Sequence, residues 1–277
     1  MIGIIGAGTM GKGIAIEFAR FGHKVLLISA QRHLDSEELF KEVKKVADKY
    51  DYKNENEILS NIITTNSFVD ISNCKLVIEA LSEDIDIKRT ILMKTIEMVS
   101  NDTIMATNTS SLSIKEIFNG IYPLKKVVGI HFFNPVQIMK LVEISYLEET
   151  ETSVLETTKK LIIDIEKESV LVKNSPGFIV NRLLIPMINE ASRLVDEGIA
   201  SIEDIDKAMK YGANHPMGPL KLSDLIGNDV VCKILNSLQS TNGNIIITNT
   251  LVTMVDNNQL GRKTKIGFYK YDEKPTK

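Results

Sequence analysis

This 277-residue sequence has few cysteines, no long apolar run and little net charge. Its two cysteines, Cys74 and Cys232, are far apart and form no CxxC motif, so we expect neither a disulfide framework nor a thiolate metal site. No apolar run approaches the roughly 18 to 20 residues of a membrane-spanning helix, and the formal net charge of −3 lacks the basic excess of nucleic-acid-binding proteins. We therefore expect no membrane or nucleic-acid partner. Because MIGIIGAG starts a strand pattern with no leader pattern before it, we also expect a cytoplasmic protein.

Strand and helix patterns alternate along the first part of the chain. This alternation predicts an α/β fold, a Rossmann-like doubly wound and mostly parallel sheet. From Phe178 onward the patterns are helical, so we expect a first domain over 1–176 and an all-α C-terminal domain over 177–277. The apolar runs that predict strands lie at 1–6, 24–28, 76–80, 103–107, 127–131 and 141–145, and helical patterns lie at 13–21, 35–49, 84–99 and 113–118.

A glycine-rich turn, GAGTMG, joins the first strand to the first helix. Gly6 permits the tight turn, Gly8 lets a diphosphate approach the backbone, and Gly11 lets the helix pack closely on the strand. The amides at the helix N-terminus then face the phosphates. The intervening residues, Ala7, Thr9 and Met10, belong to the same expected contact surface. A GxGxxG turn with a strand before it and an amphipathic helix after it predicts dinucleotide binding.

The next strand, VLLIS, lacks the acid that this motif leads us to expect. In NAD-binding proteins a carboxylate at this point holds the ribose hydroxyls, whereas Ser29 occupies it here and Arg32 follows. Either the turn binds no nucleotide, or it binds a nucleotide other than NAD. The local context of the glycine turn favours the second reading.

One histidine differs from the other three. His131 ends a strand at the carboxyl edge of the predicted sheet, where ligands of open α/β sheets bind, and Glu143 interrupts the apolar strand that follows. A turn at Asn134-Pro135 could set the carboxylate against the imidazole. Spacing alone leaves open a catalytic pair or a structural histidine with an outward-facing glutamate. The four histidines show no zinc-type spacing with an acid, so no metal site is predicted.

Two further polar residues, Ser110 and Asn181, could have either a structural or a functional role. Ser110, in TNTSSL, follows a strand and lies at the same sheet edge, although a turn or helix cap explains such a run equally well. Asn181 lies among apolar neighbours in PGFIVNRLL, where its amide needs a hydrogen-bond partner of either kind.

Across nearly its whole length the sequence resembles the L-3-hydroxyacyl-CoA dehydrogenases, in particular the short bacterial 3-hydroxybutyryl-CoA dehydrogenase type. The resemblance favours the catalytic reading of the histidine and glutamate. It rests on seven motifs in the family's order: GAGTMGKGIA, IEALSEDIDIK, TNTSSLSI, GIHFFNPVQIMKLVEI, PGFIVNRLLIPMINEA, EGIASIEDIDKAMKYGANHPMGPL and GRKTKIGFY.

The resemblance implies hydride transfer between a nicotinamide and C3 of an acyl-CoA, with 3-hydroxybutyryl-CoA and acetoacetyl-CoA as the expected pair. His131 would move the hydroxyl proton and Glu143 would hold the imidazole. Ser110 and Asn181 would hydrogen-bond the substrate oxygen. The first domain would bind the cofactor, and the second would serve substrate binding and dimerisation in a homodimer. Residues matching the family's cofactor contacts are Glu83, Lys88, Ser110, Asn134 and Lys263.

The sequence departs from the family pattern in three places. The helix after the second strand, which helps to hold CoA in relatives, is short and lysine-rich here, and we take Lys45 from it as a candidate CoA contact. The family usually has glycine where Lys265 follows Lys263-Thr264. Most relatives have Asp where Ser29 stands; a hydroxyl with the nearby Arg32 guanidinium would accept the 2′-phosphate of NADP, so we favour NADP over NAD.

Two alternatives to this function stay open. A relative acting on a free hydroxy acid or sugar acid would keep the hydride chemistry without CoA. A non-catalytic nucleotide-binding homologue would keep only the fold.

Overall fold

The computed structural model describes residues 1–29, 36–239 and 243–271. The chain divides into two compact units, Met1–Phe178 and Ile179–Lys277, called the N-terminal and C-terminal units below.

The N-terminal unit is built on one eight-stranded sheet, with strand order β3-β2-β1-β4-β5-β6-β7-β8 in its described residues. All neighbouring strands are parallel except β6 and β7, which are antiparallel. The strands are β1 Ile2–Ile5, β2 Val25–Ile28, β3 Ile62–Thr65, β4 Leu76–Glu79, β5 Ile104–Thr107, β6 Val127–Phe132, β7 Leu141–Tyr146 and β8 Glu168–Lys173. The helices are α1 Thr9–Arg20, α2 Ser36–Tyr50, α3 Glu55–Ser60, α4 Ile85–Ile96, α5 Ile114–Phe118 and α6 Thr152–Asp164.

Two hydrophobic cores flank this sheet because successive strand residues point to opposite faces. In β1, Ile4 packs with the side chains of α1 and α2, whereas Ile5 belongs to the cluster that contains α4 and α5. The central strands are therefore buried on both faces and consist of continuous apolar runs. The predicted doubly wound, mostly parallel sheet is confirmed.

The sequence patterns missed the two edge strands, β3 and β8. Both expose part of their side chains: Ile63 is 48% exposed and Leu171 is 49% exposed. Short strands of mixed polarity give neither a continuous apolar run nor a regular alternation, which are the signals that predict strands.

Local capping fixes where two helices near the sheet edge begin. The Asp84 side chain accepts hydrogen bonds from the amides of Asp86 and Ile87, both at 3.0 Å, at the start of α4. The Ser113 hydroxyl accepts one from the amide of Glu116 at 3.4 Å at the start of α5. These side chains satisfy helix amides that lack an intrahelical partner.

The C-terminal unit is helical in its described part, where pairing between strand segments is confined to two isolated bridges. Its own core contains Ile185, Ile188, Leu220 and Leu235. Across the described residues of both units, we find no helix with the length and apolarity needed to cross a membrane. The helices are α7 Val180–Asp196, α8 Ile202–Gly212, α9 Pro219–Ile226, α10 Asn228–Gln239 and α11 Asn249–Asp256.

Candidate active site

The glycine turn between β1 and α1 depends on the absence of side chains. Gly6 has φ +111°, and a Cβ there would lie 2.6 Å from the Ala80 carbonyl oxygen. A Cβ on Gly11 would lie 1.7 Å from the Gly6 carbonyl oxygen. Both positions therefore require glycine for the turn and for the close packing of α1.

The same turn fits the diphosphate of a dinucleotide. Among the described residues, none has an atom within 4 Å of a Cβ built on Gly8, so the backbone borders open space on that side. Gly8 is also the N-cap of α1, and the first turn of that helix contains no acidic residue. Backbone amides and the positive end of the helix dipole thus face the open side, as an anion site requires.

Ser29 lies beside this turn. Ile5 and Ile28 are register partners in β1 and β2, so Gly6 and Ser29 leave the sheet at the same edge. Ser29 is buried, and its backbone N–H donates to the Thr65 carbonyl oxygen at 3.0 Å. The second residue of the NADP hypothesis, Arg32, lies outside the described residues.

His131 and Glu143 face each other across the antiparallel pair β6 and β7, where they are register partners. His131 Nδ1 lies 2.8 Å from Glu143 Oε2; the glutamate is fully buried and the histidine nearly so. The rings of Phe133 and Phe178 lie 4.5 and 5.6 Å from the imidazole, centroid to centroid. Since Nδ1 faces a carboxylate, it donates its proton there, which leaves Nε2 as the nitrogen available for proton exchange.

The serine turn, residues 109–111, is organised around a single carboxylate oxygen. Glu83 Oε1 accepts hydrogen bonds from the Thr109 hydroxyl at 2.7 Å, from the Ser110 amide and hydroxyl at 2.9 and 3.1 Å, and from the Ser111 amide and hydroxyl, both at 2.9 Å. Asn108 ties the same run to β6, because its Oδ1 accepts from the Phe132 amide at 3.0 Å. Ser110 and His131 are thereby anchored at neighbouring strand ends.

Two opposing effects set the pKa of the Glu83 carboxyl group: burial on one side, and charge and hydrogen bonding on the other. Burial by itself raises the pKa of this carboxyl group. The Lys88 ammonium and the hydrogen bonds of the serine turn outweigh that effect, so the pKa of Glu83 lies below its ordinary value. An ionised Glu83 is therefore the form that holds the serine turn together.

A buried ion pair between Lys88 and Glu79 lies next to Glu83 and the serine turn. Lys88 Nζ lies 2.7 Å from Glu79 Oε1, and both side chains are at most 1% exposed. The second carboxylate oxygen of Glu79 accepts from the Thr107 hydroxyl at 2.7 Å. Lys88 also lies 3.5 Å from Glu83 Oε2. Sequence reasoning missed Glu79, although an acid closing the apolar strand LVIE was the available signal.

The other predicted site residues lie at separate places. Asn134 is exposed in the loop between β6 and β7, and Lys45 is exposed on α2, 3.7 Å from Glu42. In the C-terminal unit, Asn181 is half-buried at the start of α7, and Lys263 forms an ion pair with Asp229. Lys265, where the family usually has glycine, adopts a left-handed conformation with φ +62°.

An open α/β sheet with a glycine turn and a buried His–Glu pair at its carboxyl edge defines a dinucleotide-binding protein equipped for proton transfer. Comparison with known proteins makes this class more specific. Residues 1–175 match the family described as "3-hydroxyacyl-CoA dehydrogenase, NAD binding domain", and residues 177–271 match "3-hydroxyacyl-CoA dehydrogenase, C-terminal domain".

Relatives and solved structures agree with these matches. The chain is 48% identical to a 3-hydroxybutyryl-CoA dehydrogenase of Clostridioides difficile, over 98% of this chain and 99% of that protein. The structure of PaaH1, an (S)-3-hydroxybutyryl-CoA dehydrogenase of Ralstonia eutropha, superposes with a TM-score of 0.91 at 36% identity, covering 98% of this chain and 99% of PaaH1. FadB2 of M. tuberculosis superposes with a TM-score of 0.93 at 33% identity, covering 98% of each chain. The chain belongs to the 3-hydroxyacyl-CoA dehydrogenase family, which confirms the predicted resemblance.

Proposed function

We propose that this protein interconverts (S)-3-hydroxyacyl-CoA and 3-ketoacyl-CoA, with 3-hydroxybutyryl-CoA and acetoacetyl-CoA as its preferred pair. The buried His131–Glu143 pair at 2.8 Å carries the proposal, because a site that only bound nucleotide would have no use for it. The relatives named as 3-hydroxybutyryl-CoA dehydrogenases support the four-carbon substrate.

In this mechanism the protein supplies proton transfer and oxyanion stabilisation. A nicotinamide nucleotide held at the glycine turn, residues 6–11, would supply hydride exchange with C3 of the substrate. His131 Nε2 takes the 3-hydroxyl proton during oxidation and returns it to the carbonyl oxygen during reduction, while Glu143 stabilises the charged imidazole. We propose that Ser110 and Asn181 each hydrogen-bond the oxygen as negative charge develops on it; the Ser110 hydroxyl would then turn away from Glu83 Oε1 to do so.

Steady-state kinetics of the wild-type protein test this function. We expect turnover of acetoacetyl-CoA and at most trace turnover of free acetoacetate. Comparable rates with free acetoacetate would replace the proposal with a hydroxy-acid dehydrogenase. Nucleotide binding without turnover of either compound would point to a non-catalytic homologue.

We also propose that the cofactor is NADP(H) rather than NAD(H). The supporting observation is that a serine, not an acid, follows β2 beside the glycine turn, so no carboxylate at that position repels a 2′-phosphate. We expect a higher kcat/KM with NADPH than with NADH. Ser29→Asp should reverse the ratio, and Ser29→Ala is the matched control that adds no charge. A wild-type preference for NADH would contradict this cofactor assignment and leave the reaction unchanged.

Lys45 is proposed to contact the phosphates of CoA. It is 73% exposed on α2, so its ammonium is accessible to a ligand. Lys45→Ala should raise the KM for acetoacetyl-CoA several-fold and leave the KM for acetoacetyl-pantetheine, which lacks those phosphates, unchanged. An equal effect on both substrates would remove Lys45 from the binding site.

A homodimer formed through the C-terminal unit is the proposed assembly. This unit has several large apolar side chains at the surface, including Leu183 at 71% exposed and Ile199 at 62%. Burial of these side chains against a second copy of the chain would remove their apolar surface from water. Light scattering coupled to gel filtration should give twice the chain mass of 30.9 kDa, and Leu183→Asp should lower it to a monomer. A monomeric wild type would refute the dimer.

A further inference from the structure

A buried lysine outside the proposed catalytic set links three elements of the N-terminal unit. Lys167 lies between α6 and β8, and its side chain is 4% exposed. Its Nζ lies 3.0 Å from Glu17 Oε1 on α1. The same ammonium donates to the carbonyl oxygens of Val136 and Met139 at 2.7 and 3.1 Å. These three acceptors match the three hydrogens of an ammonium group.

The carbonyl groups that Lys167 binds belong to the loop between β6 and β7. This loop joins the strand of His131 to the strand of Glu143. It also packs directly on α1: the Gln137 side-chain amide donates to the Gly13 carbonyl oxygen at 3.2 Å, and a Cβ on Gly13 would lie 3.1 Å from Val136 Cγ2. The helix that begins at the glycine turn is thus in contact with the loop that follows the histidine.

The ion pair itself is poorly suited to a purely stabilising role. Burying two charges costs free energy that their attraction repays only when all polar atoms are well satisfied. Arg20 Nη2 adds a second cation 3.0 Å from Glu17 Oε1, yet Glu17 Oε2 is buried and has no hydrogen-bond partner among the described residues. Apolar side chains at both Glu17 and Lys167 would avoid this cost, but they would release the two loop carbonyl groups.

We propose that Lys167 is a positioning residue, which fixes the β6–β7 loop against α1 and so sets the alignment of the glycine turn with the His131–Glu143 pair. This inference rests on the proposed function, because the alignment matters only if a nucleotide at the turn reacts with a substrate at the histidine. Small displacements of reacting groups, near 1 Å, cost about 100-fold in rate. Lys167 touches neither substrate nor cofactor in this role and acts through the loop.

Lys167→Met is the main test, with acetoacetyl-CoA reduction as the assay. We expect kcat to fall about 10- to 100-fold and the dissociation constant for NADPH and NADH, measured by nucleotide fluorescence, to stay within about 3-fold. We expect the primary isotope effect on kcat, measured with cofactor deuterated at the transferred position, to rise because hydride transfer becomes slower than product release. Hydrogen exchange at residues 136–139 should be faster than in the wild type. Lys173→Met on β8, which removes an exposed lysine, should change none of these values.

Two further variants separate positioning from folding. Glu17→Gln keeps the Lys167 bonds to the loop and should keep the wild-type isotope effect. Glu17→Gln combined with Lys167→Met removes both buried charges and should recover thermal stability relative to Lys167→Met, while kcat stays low. The inference would be overturned if kcat recovered together with thermal stability in the double variant. It would also be overturned if the isotope effect were unchanged in Lys167→Met. Absence of turnover in the wild type would instead overturn the proposed function on which it rests.

Discussion

Replacing Lys88 with methionine should destabilise the N-terminal unit more than any surface substitution, because it leaves the Glu79 carboxylate buried without a cation. Glu79 is 0% exposed and, among the residues that the structure describes, would keep the Leu81 amide and the Thr107 hydroxyl as its donors, at 2.6 and 2.7 Å. Breaking a buried pair in this way costs about 3–5 kcal/mol in the free energy of unfolding. For a unit of this size that corresponds to a melting temperature lower by about 6–20 °C.

Replacing Glu79 should cost less stability than replacing Lys88. Glu79→Gln leaves Lys88 with two alternative partners, Glu83 Oε2 at 3.5 Å and the Leu81 carbonyl oxygen at 3.4 Å, so its cost should be smaller, about 1–3 kcal/mol. The double variant should cost less than the sum of the single variants, because it leaves no unpaired charge.

Urea and thermal unfolding of the full chain measure these differences. Lys94→Met is the matched control: Lys94 is exposed on the same helix, and its loss should change the unfolding free energy by less than about 0.5 kcal/mol. A Lys88→Met variant as stable as Lys94→Met, or single-variant costs that add in the double variant, would refute the reasoning about the buried pair.

Three further predictions concern the site and its surroundings. Glu143→Gln should lower kcat/KM for acetoacetyl-CoA about 10- to 100-fold through loss of a charge-assisted hydrogen bond, and unchanged kcat/KM would contradict it. The pKa of Glu83 is lowered in the folded protein, so its ionised form stabilises the fold above the ordinary value of 4.5, and this contribution is lost as pH falls through the folded pKa. The stability gap between wild type and Glu83→Gln should therefore narrow below pH 4.5 in urea titrations, and a constant gap would refute it. Lys265→Gly should raise the unfolding free energy by about 0.5–1 kcal/mol by relieving a left-handed conformation, whereas Lys265→Ala, which keeps a Cβ, should give no gain; equal effects would exclude backbone strain.

Local signals in the sequence were sufficient for the features that depend on neighbouring residues. The glycine turn is set by backbone conformation over six consecutive positions, and the capped helices at Asp84 and Ser113 begin at residues that bond to their own first turn. The central strands were predictable because burial on both faces demands continuous apolar runs.

Contacts between residues that are far apart in the sequence could not be predicted from local patterns. Glu79 and Lys88 lie on different elements. The apolar strand that Glu79 closes hints that this acid is buried, but nothing in either local sequence indicates that the two charges pair. The same holds for Glu17 and Lys167, which are 150 positions apart in the chain and meet only in the folded N-terminal unit. Glu83 was expected from the family resemblance as a cofactor contact, but its five hydrogen bonds to the serine turn became visible only in three dimensions.

The most direct test of the central claim compares the wild type with His131→Ala in acetoacetyl-CoA reduction, with nucleotide binding measured on both proteins. If His131 exchanges the proton with the substrate oxygen, kcat/KM should fall by about 100- to 10,000-fold, while the nucleotide dissociation constant stays within about 2-fold. Near wild-type kcat/KM in His131→Ala, with nucleotide binding intact, would contradict the proposed mechanism.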